Sequence, residues 1–238
     1  MITLKEVLDH LTYGNLSHVS IGNAAMGFIE EKDYPKVVSC INGALTALHK
    51  RFLLRTGEIS IQQYADTTVY YLRSLYAMSN TGDPSITKYL LDTVDNPFPS
   101  NVFKIEKLYN ADGSEIVLND DTMEYPAYTP NFDTLVMTIP ETPEIVSVKY
   151  RADHPRIVIG DTFDPELVEL HIPYSILDAI SLNVASRIYT PLTSGDGQQS
   201  SASAFIYAYE MECKRLEDEG ITLDHNVTDN RFENNGWV

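Results

Sequence analysis

The chain is short of positive charge. Its 238 residues carry 17 Lys and Arg against 34 Asp and Glu, a formal net charge of −17 at pH 7. A protein that grips nucleic acid neutralises phosphates with a basic surface, so this balance excludes that kind of reader. It leaves room for a protein that surrounds DNA without holding it, because an acidic wall repels a passing polyanion. The plainer reading is a solvated, soluble surface. Cysteine is also scarce: Cys40 and Cys213 stand far apart, in no CxxC or other ligand spacing. That argues against a metal knuckle and for two small buried hydrophobes. No apolar run approaches the roughly 18 residues that a membrane span needs, so no membrane association is expected. The first residues, MITLKEVLDHL, lack the basic start and apolar centre of a secretory signal. Tryptophan occurs once, at Trp237.

Chemical motifs are missing as well. No HExxH, HxH, GxSxG, Walker A or GxGxxG occurs, and no two of His10, His18, His49, His154, His171 and His225 share a metal-ligand spacing. The loop Ser194-Gly195-Asp196-Gly197 lacks the lysine and the preceding strand of a phosphate cradle. The acidic pieces are Asp120-Asp121, Asp161 with Asp164, and Glu217-Asp218-Glu219. None is an EF-hand loop, and a cation at Asp120 and Asp121 is a minor alternative. Catalytic, cofactor and metal residues are therefore assigned to none. Paired carboxylates for acid–base work need convergence in space, so a hydrolase using acids of the β region stays open as an alternative.

What is present is a globular composition, 43% hydrophobic and 10% aromatic. Leu4, Val7, Leu8 and Leu11 form the stripe of a short helix, with Thr3 and Glu6 at capping-box spacing. Asp33 is placed to cap a long helix from Tyr34 to about Leu54, with Pro35 in its first turn. Its stripe is Val37, Ile41, Ala44, Leu45, Leu48 and Phe52, and Gly43 in its middle would permit close helix approach. The period then changes. EISIQQY and TTVYYL read as a hairpin, against a rival helix from Asp66; Asp83-Pro84 opens a short helix; Val102 to Tyr109 and Glu115 to Leu118 flank a turn at Asn110 to Gly113. Further strands are expected at Phe132 to Ile139, Glu144 to Tyr150, Arg156 to Ile159 and Leu167 to Ile172, which together suggest a small sandwich or barrel.

After Pro173 a helix carries Ile176, Leu177, Ile180, Val184 and Ile188. A polar loop follows from Thr193 to Ser203, then a helix with Ala204, Phe205, Ala208, Met211 and Arg215 on one face. Residues 221–238 are polar and lack an apolar period. The expected fold is α+β. It is a discontinuous α-helical bundle (1–56 and 172–220) with an inserted small antiparallel β domain (57–171) and an extended C-terminal tail (221–238). Phe232, Trp237 and Val238 are the candidate partner-binding residues, since a Trp closing a polar tail docks either in a neighbour or on its own domain.

The order of these parts resembles the head-to-tail adaptor (connector) proteins of tailed bacteriophages, especially the short-tailed ones. The resemblance is carried by Asp33-Tyr34-Pro35 opening a helix that ends in LLRTGEISIQ, by LDTVDNPFPSNVFKIEKLYNADGSEIVLND and VSVKYRADHP, and by LHIPYSILDAISLNVASRIYTPL with its loop, YAYEMECKRLEDEGI and RFENNGWV. It covers most of the chain. It implies a non-enzymatic virion protein at the portal vertex, made in the host cytoplasm and forming a dodecameric ring. Such a ring binds the portal protein above and tail nozzle or tail fibre proteins below, and DNA passes through it without specific binding. In related adaptors a C-terminal extension reaches into the portal, which would be residues 221–238 here. Another neck or tail-completion protein is the nearest alternative.

Overall fold

The computed structural model describes residues 2–17, 28–139, 142–160, 162–189 and 199–220. The architecture is α+β. In chain order the strands are β1 (Ile2–Thr3), β2 (Thr56–Gln62), β3 (Val69–Tyr71), β4 (Leu90–Leu91), β5 (Val102–Tyr109), β6 (Glu115–Ile116), β7 (Ala127–Asn131), β8 (Thr134–Met137), β9 (Ile145–Ala152) and β10 (Glu169–Leu170). The α-helices are α1 (Leu4–Tyr13), α2 (Tyr34–Arg51), α3 (Leu177–Tyr189) and α4 (Gln199–Asp218). Two compact units divide the chain: residues 1–54 with 154–238, and Arg55–Asp153.

The first unit is mainly helical. Thr3 ends β1, which pairs antiparallel with β10, and caps α1. The Glu6 N–H donates to Thr3 Oγ1 at 3.2 Å while Glu6 Oε2 accepts from the Thr3 N–H at 2.7 Å, so two orphan donors are satisfied reciprocally. Leu4, Val7, Leu8 and Leu11 are buried, as their spacing requires. On α2, Val37, Ile41, Ala44, Leu45, Leu48 and Phe52 are buried together. Asp33 does not cap this helix. It ends a 3₁₀ turn, Glu31–Asp33, that leads directly into α2, and its side chain makes no capping bond. Gly43 does mark a close approach: an added Cβ would sit 2.9 Å from Arg187 Nη1, and Arg187 Nη2 donates to the Gly43 carbonyl at 3.2 Å.

α3 is the central helix, in contact with α1, α2 and α4. Ile176, Ile180, Val184 and Ile188 are buried, but so are Ala179, Ala185, Ser181, Asn183 and Ser186. The small side chains let neighbours close in on several faces, and the polar ones bond locally: Ser181 Oγ donates to Asp178 O and Ser186 Oγ to Asn183 O. A helix buried nearly all round offers no polar face for a partner.

Residues 154–171, read from the sequence as the end of the inserted β domain, belong to the helical unit. Arg156 to Ile159 forms no strand. Its backbone is engaged instead by a buried amide: Asn42 Nδ2 donates to Ile157 O at 2.9 Å, and the Ile157 N–H donates to Asn42 Oδ1 at 3.0 Å. One side chain on α2 thus plays the part of a strand neighbour. Asn42→Ala leaves both backbone groups without a partner and is expected to destabilise this unit by about 2 kcal/mol. Denaturant unfolding checks this, and an unchanged midpoint would show that the pairing contributes nothing net.

The second unit is antiparallel β. One sheet has the order β4-β2-β9-β5-β6 and the other β3-β8-β7. Inward residues from both, among them Ile59, Ile61, Val146, Val148, Tyr70, Leu135 and Met137, form one core. The alternation in β9 puts Val146, Val148 and Tyr150 inside, as expected. Gly113, at φ +85°, closes the turn between β5 and β6 where a side chain would be strained. Ile139 is exposed and lies beyond β8.

Two local expectations fail in this unit. β2 and β3 do not form a hairpin: β2 pairs with β9 and β4, whereas β3 pairs with β8. The chain passes from one sheet to the other through a turn that Tyr70 closes, its hydroxyl donating to Thr67 O at 3.0 Å and accepting from the Tyr64 N–H at 3.1 Å. The helix at Asp83-Pro84 is absent too. Asp83 Oδ1 accepts from the Ser85 N–H at 2.8 Å, a local turn that competes with a helix start. Tyr89 then buries its ring against Tyr70 and Tyr76, each centroid 5.0 Å away, and brackets the Tyr71 backbone with its hydroxyl. Burying a phenol demands a partner for its O–H, and an extended chain supplies one here.

Candidate partner-binding surface

The three tail residues singled out above, Phe232, Trp237 and Val238, lie outside the described residues. The surface that can be built from residues upward is therefore that of α4. Its buried side is Ala202, Tyr209, Cys213 and Leu216, with Phe205 half-buried and its ring 5.0 Å from Tyr189. This differs from the expected face. Ala204, Met211 and Arg215 point to solvent, and the helix is rotated so that Tyr209 and Cys213 are inside. The better signal was Ala202, Phe205, Tyr209, Cys213 and Leu216, which recur every three or four residues along one helix face. The helix also starts earlier than expected, at Gln199 rather than after Ser203.

Charge fixes α4 to its unit. Arg51, near the end of α2, reaches Glu210 through Nη1 and Glu217 through Nε, both at 2.6 Å. Arg215 spans Glu212 at 2.6 Å and Glu219 at 2.7 Å along α4. Glu217, one member of a sequence cluster of acids, is thereby a structural ion-pair partner; the Arg51 hydrogen bond holds its carboxyl below the usual range. With its register set, α4 turns Ile206, Tyr207 and Met211 outward, 50%, 69% and 50% exposed. Glu210 and Lys214 lie on the same outer side. An apolar side chain that is half exposed on a helix already packed on its other face is available for a partner, and Tyr and Met suit such contacts.

Groups that could carry chemistry are elsewhere engaged. Burial pushes the thiols of both Cys40 and Cys213 up, away from the thiolate form. Asp120 Oδ1 accepts from the Thr122 N–H and hydroxyl at 2.9 and 2.6 Å, and Asp121 accepts from the Tyr128 hydroxyl at 2.8 Å, so these two acids organise a turn. His49 Nδ1 lies 2.9 Å from Leu45 O, and its ring is 5.4 Å from that of His154. Among the described residues no three His, Cys, Asp or Glu side chains converge to hold a metal. Glu115, Glu124 and Glu144 border a cavity of about 540 Å³ over Leu108, Ile116 and Val146, with Glu115 held by Lys107 at 3.0 Å. No helix among the described residues is long and apolar enough to cross a membrane. Compared with known proteins, the chain matches no family model and no curated protein.

Proposed function

We propose that the protein is a structural head-to-tail adaptor of a tailed phage. In this reading the helical unit is a bundle interrupted by the β unit and extended by the tail, and it repeats around a ring of twelve copies beneath the portal. The observation that carries it is the outer side of α4. Ile206, Tyr207 and Met211 form an exposed apolar face on the last helix before the tail, unpartnered among the described residues, and a second copy is its occupant in a ring. The charge of −17 agrees with a channel wall that lets DNA pass without holding it. Residues 221–238 reach toward the portal, with Phe232, Trp237 and Val238 as anchors, and the tail nozzle or fibres bind below. Ring, portal contact, virion location and the absence of catalysis all belong to this proposal.

Native mass spectrometry and electron microscopy of the protein with purified portal test it. Rings on the portal are expected. Tyr207→Asp with Met211→Lys is expected to stop assembly while leaving the circular-dichroism spectrum unchanged. Deleting residues 221–238 is expected to weaken portal binding, and Trp237→Ala to lose about 2 kcal/mol of it. A chain that stays monomeric with portal present sinks the reading.

A further inference from the structure

A second cavity, of about 480 Å³, lies within the β unit and is lined by residues of β2, the segment after β4, and β9. Among the described residues three enclosed side-chain polar atoms have no hydrogen-bond partner: Asp33 Oδ2, Arg55 Nη1 and Asn101 Oδ1. Two of the three belong to residues lining this one cavity. Buried polar groups in folded proteins are nearly always satisfied, so an orphaned donor and an orphaned acceptor on residues of one cavity wall single that cavity out. Arg55 is the sharper case. In a chain of charge −17, Arg51, Arg73, Arg151 and Arg215 each have carboxylate partners. The Arg55 guanidinium has no ion pair and no hydrogen bond among the described residues.

Tyr150 adds a second donor. Its side chain is 96% buried by the 4% exposure of the residue, it lines the cavity, and its hydroxyl has no partner among the described residues. Phe98 holds the ring edge-on at 5.9 Å, and Gly57 lies opposite it in the β2–β9 pairing. Burial pushes the phenol up and the Arg55 charge opposes that, so it stays a neutral donor near pH 7. The Asp92 carboxylate on the same wall is already engaged. Asp92 accepts from the Ser79 N–H at 2.7 Å, the Phe98 N–H at 2.8 Å and the Ser79 hydroxyl. Elsewhere on the wall the apolar Ile59, Leu91 and Phe98 alternate with the polar Ser60, Thr93 and Asn96.

We infer that this cavity binds a small monocarboxylate, its carboxylate received by Arg55 and the Tyr150 hydroxyl. One guanidinium matches one negative charge, and Asp92 and Glu58 on the same wall disfavour a dianion such as phosphate. The volume suits a body of a few carbons. An acid that is the C terminus of a polypeptide and a free acid share this chemistry. The site stands independently of the ring reading.

The test is titration of the full chain, labelled at tyrosine and arginine side chains for NMR, with four probes: isovalerate, isovaleramide, N-acetyl-leucine and inorganic phosphate. Saturable shifts of Tyr150 and Arg55 are expected with N-acetyl-leucine or isovalerate and not with the amide. Binding of N-acetyl-leucine alone identifies a polypeptide terminus as the source; binding of both identifies a free acid. Arg55→Gln and Tyr150→Phe are each expected to weaken binding about tenfold or more, since each removes a hydrogen bond to a charged group. Equal binding of the amide, tighter binding of phosphate, no saturable shift with either acid, or variants of unchanged affinity overturns the inference. Circular dichroism of both variants guards against a folding defect, and Arg55→Lys, which keeps the charge, is expected to bind better than Arg55→Gln.

Discussion

Ile180→Ala is expected to destabilise the helical unit by about 4 kcal/mol, the upper part of the range for a fully buried aliphatic side chain. Ile180 is fully buried on α3, the helix that touches α1, α2 and α4. The lost methyl and methylene groups forfeit transfer energy. The cavity left behind cannot close easily, because its walls belong to several helices and each would have to move. Ile180→Val removes one carbon and is expected to cost about 1 kcal/mol. Met211→Ala, half exposed on α4, is expected to stay within about 0.5 kcal/mol. Since the β unit has its own core, the reading should be taken from amide hydrogen exchange of α2 and α3 rather than from one global midpoint. A loss below about 1.5 kcal/mol for Ile180→Ala would mean that α3 is not the central helix.

Where the apolar period was strong, the sequence was legible. The residues named for the stripes of α1 and α2 are buried, those named for α3 are buried except for the half-buried Leu177, and the capping box at Thr3 and Glu6 forms. Long periodic segments carry many mutually consistent positions, so a single ambiguous residue does not shift the reading. α4 shows the limit. Its outer side holds Ile206, Tyr207 and Met211, so hydrophobicity is spread around the helix and the phase can be read two ways. Only the packing of Phe205 against Tyr189 and the Arg51 ion pairs settle it.

The failures have a common physical origin: side chains that stand in for backbone partners. Asn42 replaces a strand beside Ile157, Asp83 makes a turn where a helix start was expected, and Tyr89 holds the Tyr71 backbone. Each uses a residue that is common in other roles, and its partner is fixed only by the tertiary fold. The same holds for the carboxylate cavity. Arg55, Asn101 and Tyr150 are scattered over about a hundred positions, and no spacing rule connects them. Strand β9 was legible, but which residue of β2 lies across from Tyr150 was not.

That register is what makes Gly57→Ala severe. Gly57 pairs with Tyr150, and an added Cβ would lie 2.3 Å from the ring Cζ and 2.4 Å from the hydroxyl oxygen. Those contacts are far inside van der Waals separation, so the ring has to leave. It cannot shift inward without striking Phe98, already at 5.9 Å between centroids. It cannot swing outward without exposing a buried aromatic surface. The expected cost is about 3 kcal/mol, at the high end for overpacking because the obstacle is a ring between strands. The double variant Gly57→Ala, Tyr150→Ala decides whether this contact is the cause. If it is, alanine at 57 costs little once the ring is gone, and the two losses fall short of additivity by about 2 kcal/mol. Additive losses would instead assign the effect of Gly57 to its backbone. Carboxylate affinity follows the same logic: Gly57→Ala displaces the Tyr150 hydroxyl and should weaken binding as much as Tyr150→Phe does, though it touches no ligand atom.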